Sequence, residues 1–372
     1  MRRHARFVNN FPGLGPDLLR PVPQAERPPA WLPGRRHLLV PCARNGLHLG
    51  WKALGLESGT HVLLPAFVCN TVSRPLEQAG ALPVYFNVFE DLSIDWDHVT
   101  RLVRSKPYPR AMLWYHYLGL PIGFDDVVQF CREHGLYLIE DCAHALFSEH
   151  RGVPVGSTGD ISVFSFRKTI PVLHAGALVV NNRRLGFRPP PLWREQEPGY
   201  QEHLCRLEIY LNRLHFQSRE RTRQVLRPHF REALAGTEEW YGNAGRIRPI
   251  DPVSRLVMHN VEPDPIRRAR RRNFRVYLRE LGALGLVREL PSGACPLGFP
   301  IRVKRRATLR RQMEGMGVEA VTHWWRPLLP EGVARRFATA SRLAATVLTM
   351  PCHQDLSVPD IEYACATLKR LL

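Results

Sequence analysis

From about residue 38 the chain repeats one pattern, a short run apolar on both faces and then a stretch with helical spacing. His37–Val40, His61–Leu64, Pro83–Val88, Ala111–His116, Leu136–Ile139, Ile161–Phe166 and Ala177–Val180 read as strands. Asn45–Leu54 reads as a helix with Leu47, Trp51 and Leu54 on one side and Gly55 ending it, and Phe124–His134 as a helix closed by Gly135. A strand that is apolar on both faces has to be covered on both, which crossover helices achieve. The pattern therefore predicts an α/β fold with a mainly parallel central sheet between layers of helix.

Around Pro189-Pro190-Pro191 the alternation stops, and residues 185–248 read as an atypical Pro-rich and then helical segment. Its helices fall within residues 200–235, with a stripe at Leu204, Leu207, Leu211 and Leu214. From about Pro249 a smaller α/β unit begins. It contains an arginine-rich helix, a strand at Gly298–Val303, a helix at Ala307–Met316, a strand near Val318–Trp324 and a last helix at Val358–Leu371. With 372 residues the chain is long for one compact unit, so the expected organisation is a large domain at 1–248 and a small C-terminal domain at 249–372.

Composition removes several function classes. Hydrophobic residues at 44% and charged residues at 23% are those of a globular chain, which excludes wholesale disorder. No run approaches the roughly 18 apolar residues of a membrane helix, and no apolar core follows the basic N-terminus, so the expected compartment is the cytoplasm. The eight cysteines form no Cys-x-x-Cys pair and read as scattered buried thiols, with no metal expected. The formal charge of +18 draws attention to nucleic acid, yet only five of the 52 basic residues are lysine. A general arginine bias explains the charge, and nucleic acid is not the expected partner. The densest run, Arg267 to Arg275, reads as the solvated face of an amphipathic helix.

Ligands of an open parallel sheet collect at the carboxyl ends of its strands, and two such ends carry chemistry here. Glu140, Asp141 and His144 follow one buried strand; Ser165, Arg167 and Lys168 follow another. A carboxylate and a lysine at neighbouring strand ends are the minimum that a pyridoxal phosphate site needs. The amine forms the Schiff base, and the acid keeps the pyridine nitrogen protonated so that the ring accepts electrons. From the residues alone, Asp141 reads equally as a helix N-cap and Lys168 as a surface lysine. Neighbours on a strand face opposite sides, so Glu140 points away from Asp141 and is the alternative acid.

The run Leu138-Ile-Glu-Asp-Cys-Ala-His-Ala145, then Val155-Gly156 and Gly159-Asp-Ile-Ser-Val-Phe-Ser-Phe-Arg-Lys168, resembles the DegT/DnrJ/EryC1/StrS aminotransferase family. The resemblance extends to Asn45–Leu49, Val62–Pro65, Gly80–Val84, the turn Tyr115-His116-Tyr-Leu-Gly119 and the segment Leu348–Leu356. It implies a fold-type I pyridoxal-phosphate enzyme, homodimeric, that moves an amino group from glutamate to a keto sugar, nucleotide-linked in most of the family. It also implies that Lys168 is the Schiff-base lysine and proton carrier, and that Asp141 pairs with the pyridinium. His144 falls near the cofactor's phenolic oxygen, and Ser165 falls where a hydroxyl binds its phosphate. His116 and His353 read as structural. Three other readings accompany this one: a pyridoxal-phosphate enzyme for a different keto substrate, a family member that has lost catalysis and serves in binding or regulation, and nucleic-acid binding through the arginine-rich helix.

The chain departs from the family pattern in four places. The phosphate cradle Ser-Gly-Thr is replaced by Cys42-Ala43-Arg44, followed by Asn45, so that Arg44 would meet the phosphate by charge. In Pro65-Ala-Phe67-Val-Cys69, either Phe67 or Cys69 takes the position that stacks on the cofactor ring. Lys168 comes two residues sooner after Ser-Phe than is usual in the family. Residues 185–248 match nothing in it, which leaves His323, Trp324 and Arg326 as the candidates for lining the substrate pocket. The tryptophans read equally as core.

Overall fold

The computed structural model describes residues 6–23, 27–34, 36–190, 247–323, 329 and 331–372. Seven strands form its main sheet: β1 (Arg36–Val40), β2 (His61–Pro65), β3 (Leu82–Phe86), β4 (Ala111–Tyr115), β5 (Tyr137–Asp141), β8 (Ile161–Ser165) and β9 (Gly176–Val180). A small hairpin, β6 (Glu149–His150) with β7 (Val153–Pro154), precedes β8. The sheet order is β1-β9-β8-β5-β4-β2-β3. Only β9 runs against its neighbours, and every other adjacent pair is parallel. This is the mainly parallel sheet that the apolar runs predict; β4, β8 and β9 are buried along their whole length.

Helices cover the sheet. Residues Ala43–Ala53 form α1, which buries Leu47 and Trp51 against Val62, Ile161, Val163 and Leu178. Gly46 and Gly50 let α1 lie directly on the sheet, since a Cβ at Gly50 would sit 2.5 Å from Ile161 Cδ1 and one at Gly46 3.1 Å from Val163 Cγ1. The structure adds two helices that periodicity does not reveal: α2 (Asn70–Gln78), which carries Pro75 in its interior, and α3 (Trp96–Arg104), capped by Asp95 accepting from His98 N at 2.9 Å. Next along the chain, α4 spans Phe124–Glu133.

Beyond residue 247, α5 (Pro252–Asn260) and α6 (Pro263–Leu281) lead to a two-stranded antiparallel sheet of β10 (Gly298–Arg302) and β11 (Val347–Pro351). With α7 (Arg306–Gly315), α8 (Ala338–Thr346) and α9 (Val358–Leu371), these complete the elements that position the site. Phe274 and Tyr277 of α6 meet Phe299, Ile301, Leu348, Met350 and Ile361 in a hydrophobic cluster of their own. Val257 and Met258 of α5 instead join Phe166, Ile170 and Val172 in a third cluster. The expected strand near Val318–Trp324 is corrected: Val318 and Val321 make isolated bridges, to Val8 and Thr349, and residues 324–328 lie outside the described residues. The helices expected within 200–235 also lie outside them.

The solvated arginine face expected at Arg267 to Arg275 is corrected in part. Arg268, Arg272 and Arg275 are exposed, but Arg270 is buried, and Arg270, Arg271 and Arg272 all donate to backbone carbonyls. Much of the helix's charge is therefore committed inside the chain. No helix among the described residues is long and apolar enough to cross a membrane.

Gly176 sits opposite Ser165 in the β8–β9 ladder, and a Cβ there would lie 2.2 Å from Phe164 O and 3.5 Å from Ala43 N. A carbonyl of the ladder cannot yield as a side chain can. Gly176→Ala is expected to destabilise the chain by about 2–4 kcal/mol, read as a lower midpoint in urea denaturation.

Candidate active site

The strands β4, β5 and β8 are neighbours and parallel, so their carboxyl ends open on the same side, with Tyr115 paired to Asp141 and Asp141 to Val163. The pleat separates the two acids of β5. Glu140 is fully buried and accepts from Gly156 N at 2.9 Å, from Thr158 N at 3.0 Å and from Gly159 N, with His116 Nε2 at 3.2 Å. Its carboxylate is consumed in fixing the loop that leads into β8. His116, Glu140 and Cys142 also bring an imidazole nitrogen, a carboxylate oxygen and a thiol within 4.8 Å of one another. The alternative acid is therefore a structural one by its contacts.

Asp141 is 1% exposed and takes one hydrogen bond, from Ala143 N to Oδ1 at 2.9 Å. Among the described residues, Oδ2 accepts none. Burial raises its pKa to about 6, against the pull of Lys168, the Ala143 amide and His116. Lys168 lies in the 3-10 turn Phe166–Lys168 that follows β8, half-buried, and is close enough to act electrostatically on Asp141, His144 and His323 alike. The turn is closed by Thr169 N and Ile170 N donating to Phe166 O, each at 2.9 Å.

His144 is buried, its Nδ1 accepting from Leu118 N at 3.3 Å, which puts its proton on Nε2. Its ring meets Tyr115 edge-on at 5.0 Å and His323 at 5.1 Å. Burial first, then Lys168 and His323, hold its pKa well below the ordinary value. His323, anchored by Thr349 Oγ1 at 2.8 Å, is lowered to about 3 by burial and Lys168. Both imidazoles are therefore neutral at physiological pH. Tyr115 was not singled out in the sequence. Its place as the last residue of a buried parallel strand was the available signal, and burial with Asp141 and Cys69 nearby pushes its hydroxyl well above the usual range.

The structure thus gathers Asp141, His144 and His323 around Lys168. Ser165 ends β8, buried, opposite Gly176. The start of α1 meets that point, because Ala43 N lies against Gly176; Arg44 there is half-buried and Asn45 fully buried, with Cys42 Sγ 3.0 Å from Asn45 Oδ1. Of the two stacking candidates, Phe67 is in the core, stacked on Tyr117 at 5.8 Å with its carbonyl accepting Tyr117 Oη at 2.5 Å. Cys69 is half-buried and close enough to Tyr115 to affect its ionisation. His353 is buried, with Nε2 at 3.1 Å from Asn9 O and Nδ1 accepting from Asp355 N at 3.3 Å, so it pins the N-terminal segment. Trp324 and Arg326 lie outside the described residues.

Residues 34–188, which hold Arg44, Asn45, Asp141, His144, Ser165 and Lys168, match the DegT/DnrJ/EryC1/StrS aminotransferase family. The DegT/DnrJ/EryC1/StrS sequence pattern is thus matched over less than half of the chain. The GDP-perosamine synthase of Vibrio cholerae is 37% identical over 139 residues, 37% of each chain. The UDP-4-amino-4,6-dideoxy-N-acetyl-beta-L-altrosamine transaminase of Campylobacter jejuni is 32% identical over 146 residues, 38% of this chain and 39% of that one. The chain thus spans under two fifths of the length of these relatives. Among solved structures, the aminotransferase PseC of Helicobacter pylori superposes with a TM-score of 0.71 over 98% of both chains at 15% identity. S. venezuelae DesV does so at 0.67 over 99% of this chain and 91% of its own, at 19% identity. These superpositions show the fold-type I architecture across the chain, beyond the segment where the DegT/DnrJ/EryC1/StrS sequence pattern is matched.

The raised pKa of Asp141 has a measurable consequence. A buried acid that binds its proton more tightly when folded stabilises the fold at low pH, and that contribution is lost as pH rises from about 4 to about 6. Without added cofactor, Asp141→Asn should therefore gain stability relative to the parent as pH is raised across this window, by about 3 kcal/mol at most. Urea denaturation at pH 4 and pH 7 checks the difference; parallel curves for the two proteins would refute it.

Proposed function

We propose that the chain is a pyridoxal-phosphate-dependent aminotransferase that moves an amino group from glutamate to a keto group on a nucleotide-linked sugar, working as a homodimer in the cytoplasm. One observation carries this reading. A buried carboxylate, one oxygen of which accepts no hydrogen bond among the described residues, lies within electrostatic reach of a lysine amine that also acts on two neutral imidazoles. An anion in that setting calls for a cation with an N–H to give, and a pyridinium supplies both. The residues fit the group. Asp141 would hold the ring nitrogen, Lys168 the aldehyde carbon, and His144 the phenolic oxygen through its Nε2 proton. Ser165, Asn45 and Arg44 would hold the phosphate at the start of α1.

When bound, the cofactor supplies an electron sink for the carbanion formed as the donor loses its α-proton. The chain's own residues do the rest. Asp141 stays ionised against the cation and keeps the ring nitrogen protonated. Lys168 Nζ would carry the α-proton between the substrate carbon and the cofactor carbon, and its flexible stem allows both positions without moving the backbone. His144 and His323, both neutral, add no positive charge beside the amine. Arg44 replaces hydroxyl contacts to the phosphate by charge pairing, which suits a doubly charged group.

The sugar assignment is supported by the names of the relatives, a GDP-perosamine synthase and a transaminase named for a UDP-linked altrosamine. His323, Trp324 and Arg326 are proposed to line the acceptor pocket. We also take the chain as two units, 1–248 and 249–372; Phe274, Phe299 and Met350 of the second form a cluster apart from the seven-stranded sheet, although Leu329, Phe337 and Val347 join the sheet's own cluster.

Purified protein incubated with pyridoxal phosphate should develop a visible absorption band that bleaches on addition of L-glutamate, while Lys168→Ala should give neither the band nor the bleaching. A parent protein that shows no band at saturating cofactor would overturn the reading.

A further inference from the structure

Arg270 of α6 is 1% exposed, and among the described residues its guanidinium donates to neutral acceptors. Nε donates to Gln354 Oε1 at 2.9 Å, Nη1 to Pro296 O at 3.1 Å and to Leu297 O at 3.3 Å, and Nη2 to Thr169 O at 3.2 Å. Burying such a cation without a carboxylate on its donors is costly unless fixed dipoles meet each of them. The carbonyl of Thr169, the residue after Lys168, is held twice, since Gln354 Nε2 also donates to it at 3.1 Å. The other arm of the network reaches His144: Leu297 N donates to Leu118 O at 2.7 Å, and Leu118 N donates to His144 Nδ1.

We propose that Arg270, assisted by Gln354, is a positioning residue that fixes the backbone of the Lys168 turn against α6 and keeps it in register with His144. The proposal rests on the cofactor reading above, because it assigns the brace to the aim of the lysine amine. The turn's own hydrogen bonds, from Thr169 N and Ile170 N to Phe166 O, close its inner side only. The outer carbonyl is free to rotate unless something anchors it, and two donors from the C-terminal part of the chain do so. A lysine has a long flexible stem, so the orientation of its backbone decides the region from which Nζ approaches its target, and small misplacements cost rate steeply.

The test compares the full-length parent with Gln354→Leu, Arg270→Lys and Arg270→Met. Each is first checked for parental elution volume and a cooperative melt. Pyridoxal phosphate retention is then measured by fluorescence, and the rate of covalent attachment to Lys168 by cyanoborohydride trapping and peptide mass. Gln354→Leu should retain the cofactor as the parent does but trap it about tenfold more slowly, with Arg270→Met at least as slow and Arg270→Lys partly restored. Parental trapping rates in a folded Gln354→Leu or Arg270→Met protein would overturn the brace. If Arg270→Met does not fold, Gln354→Leu and Arg270→Lys decide. If the parent itself does not trap the cofactor on Lys168, the cofactor reading fails separately. Hydrogen–deuterium exchange over residues 166–172 then decides the brace: faster exchange in Gln354→Leu supports it, and unchanged exchange overturns it.

Discussion

The most demanding constraint in the fold is a buried carboxylate, Asp141. Among the described residues, Asp141 is buried at the end of β5 with one hydrogen bond to its side chain, and burial raises its pKa to about 6 against the opposing pull of Lys168, the Ala143 amide and His116. A charge so placed is tolerated only in company with a cation, and Lys168 comes from the next strand to provide it. Its neighbour Glu140 shows the contrast. The same residue type on the same strand, turned to the other face, is satisfied by three backbone amides and His116 and has no capacity left for a ligand. One strand therefore carries an acid consumed in building the fold and an acid with one hydrogen bond among the described residues, and the period-2 alternation of side chains is what separates them.

Much of this was legible in the chain itself. Runs apolar on both faces give the central strands to within a residue or two, and Leu47 and Trp51 do lie on the buried side of α1. The opposition of Glu140 and Asp141 follows from strand geometry alone. Elements without a strong apolar stripe escaped: α2 is interrupted by Pro75, and α3 is announced only by its cap at Asp95. The segment from Val318 looked like a strand because Val318, Ala320 and Val321 are apolar, but its described part finds single bridges to two different partners and no continuous ladder. Long-range pairing is the part of a fold that local pattern does not encode.

The arginine bias of the sequence has a structural use that composition conceals. A net charge of +18 suggests an anionic partner, yet Arg36, Arg270, Arg271, Arg272, Arg288 and Arg306 donate to backbone carbonyls of loops and element ends. Guanidinium suits this work because its planar fork reaches several acceptors at once. The conversion of charge into loop anchoring is most complete at Arg270, where it ties the lysine turn to α6. The site's histidines follow the same economy of charge, both held neutral by burial beside Lys168.

The central claim is that Asp141 exists to hold a protonated ring nitrogen. Nitrogen-15 resonance of ring-labelled pyridoxal phosphate bound to the full-length chain reads that proton directly. At neutral pH the bound cofactor should show the shift of a pyridinium, and Asp141→Asn should move it to that of a neutral pyridine. A neutral pyridine nitrogen in the parent protein, or a pyridinium that persists in Asp141→Asn, would contradict the account.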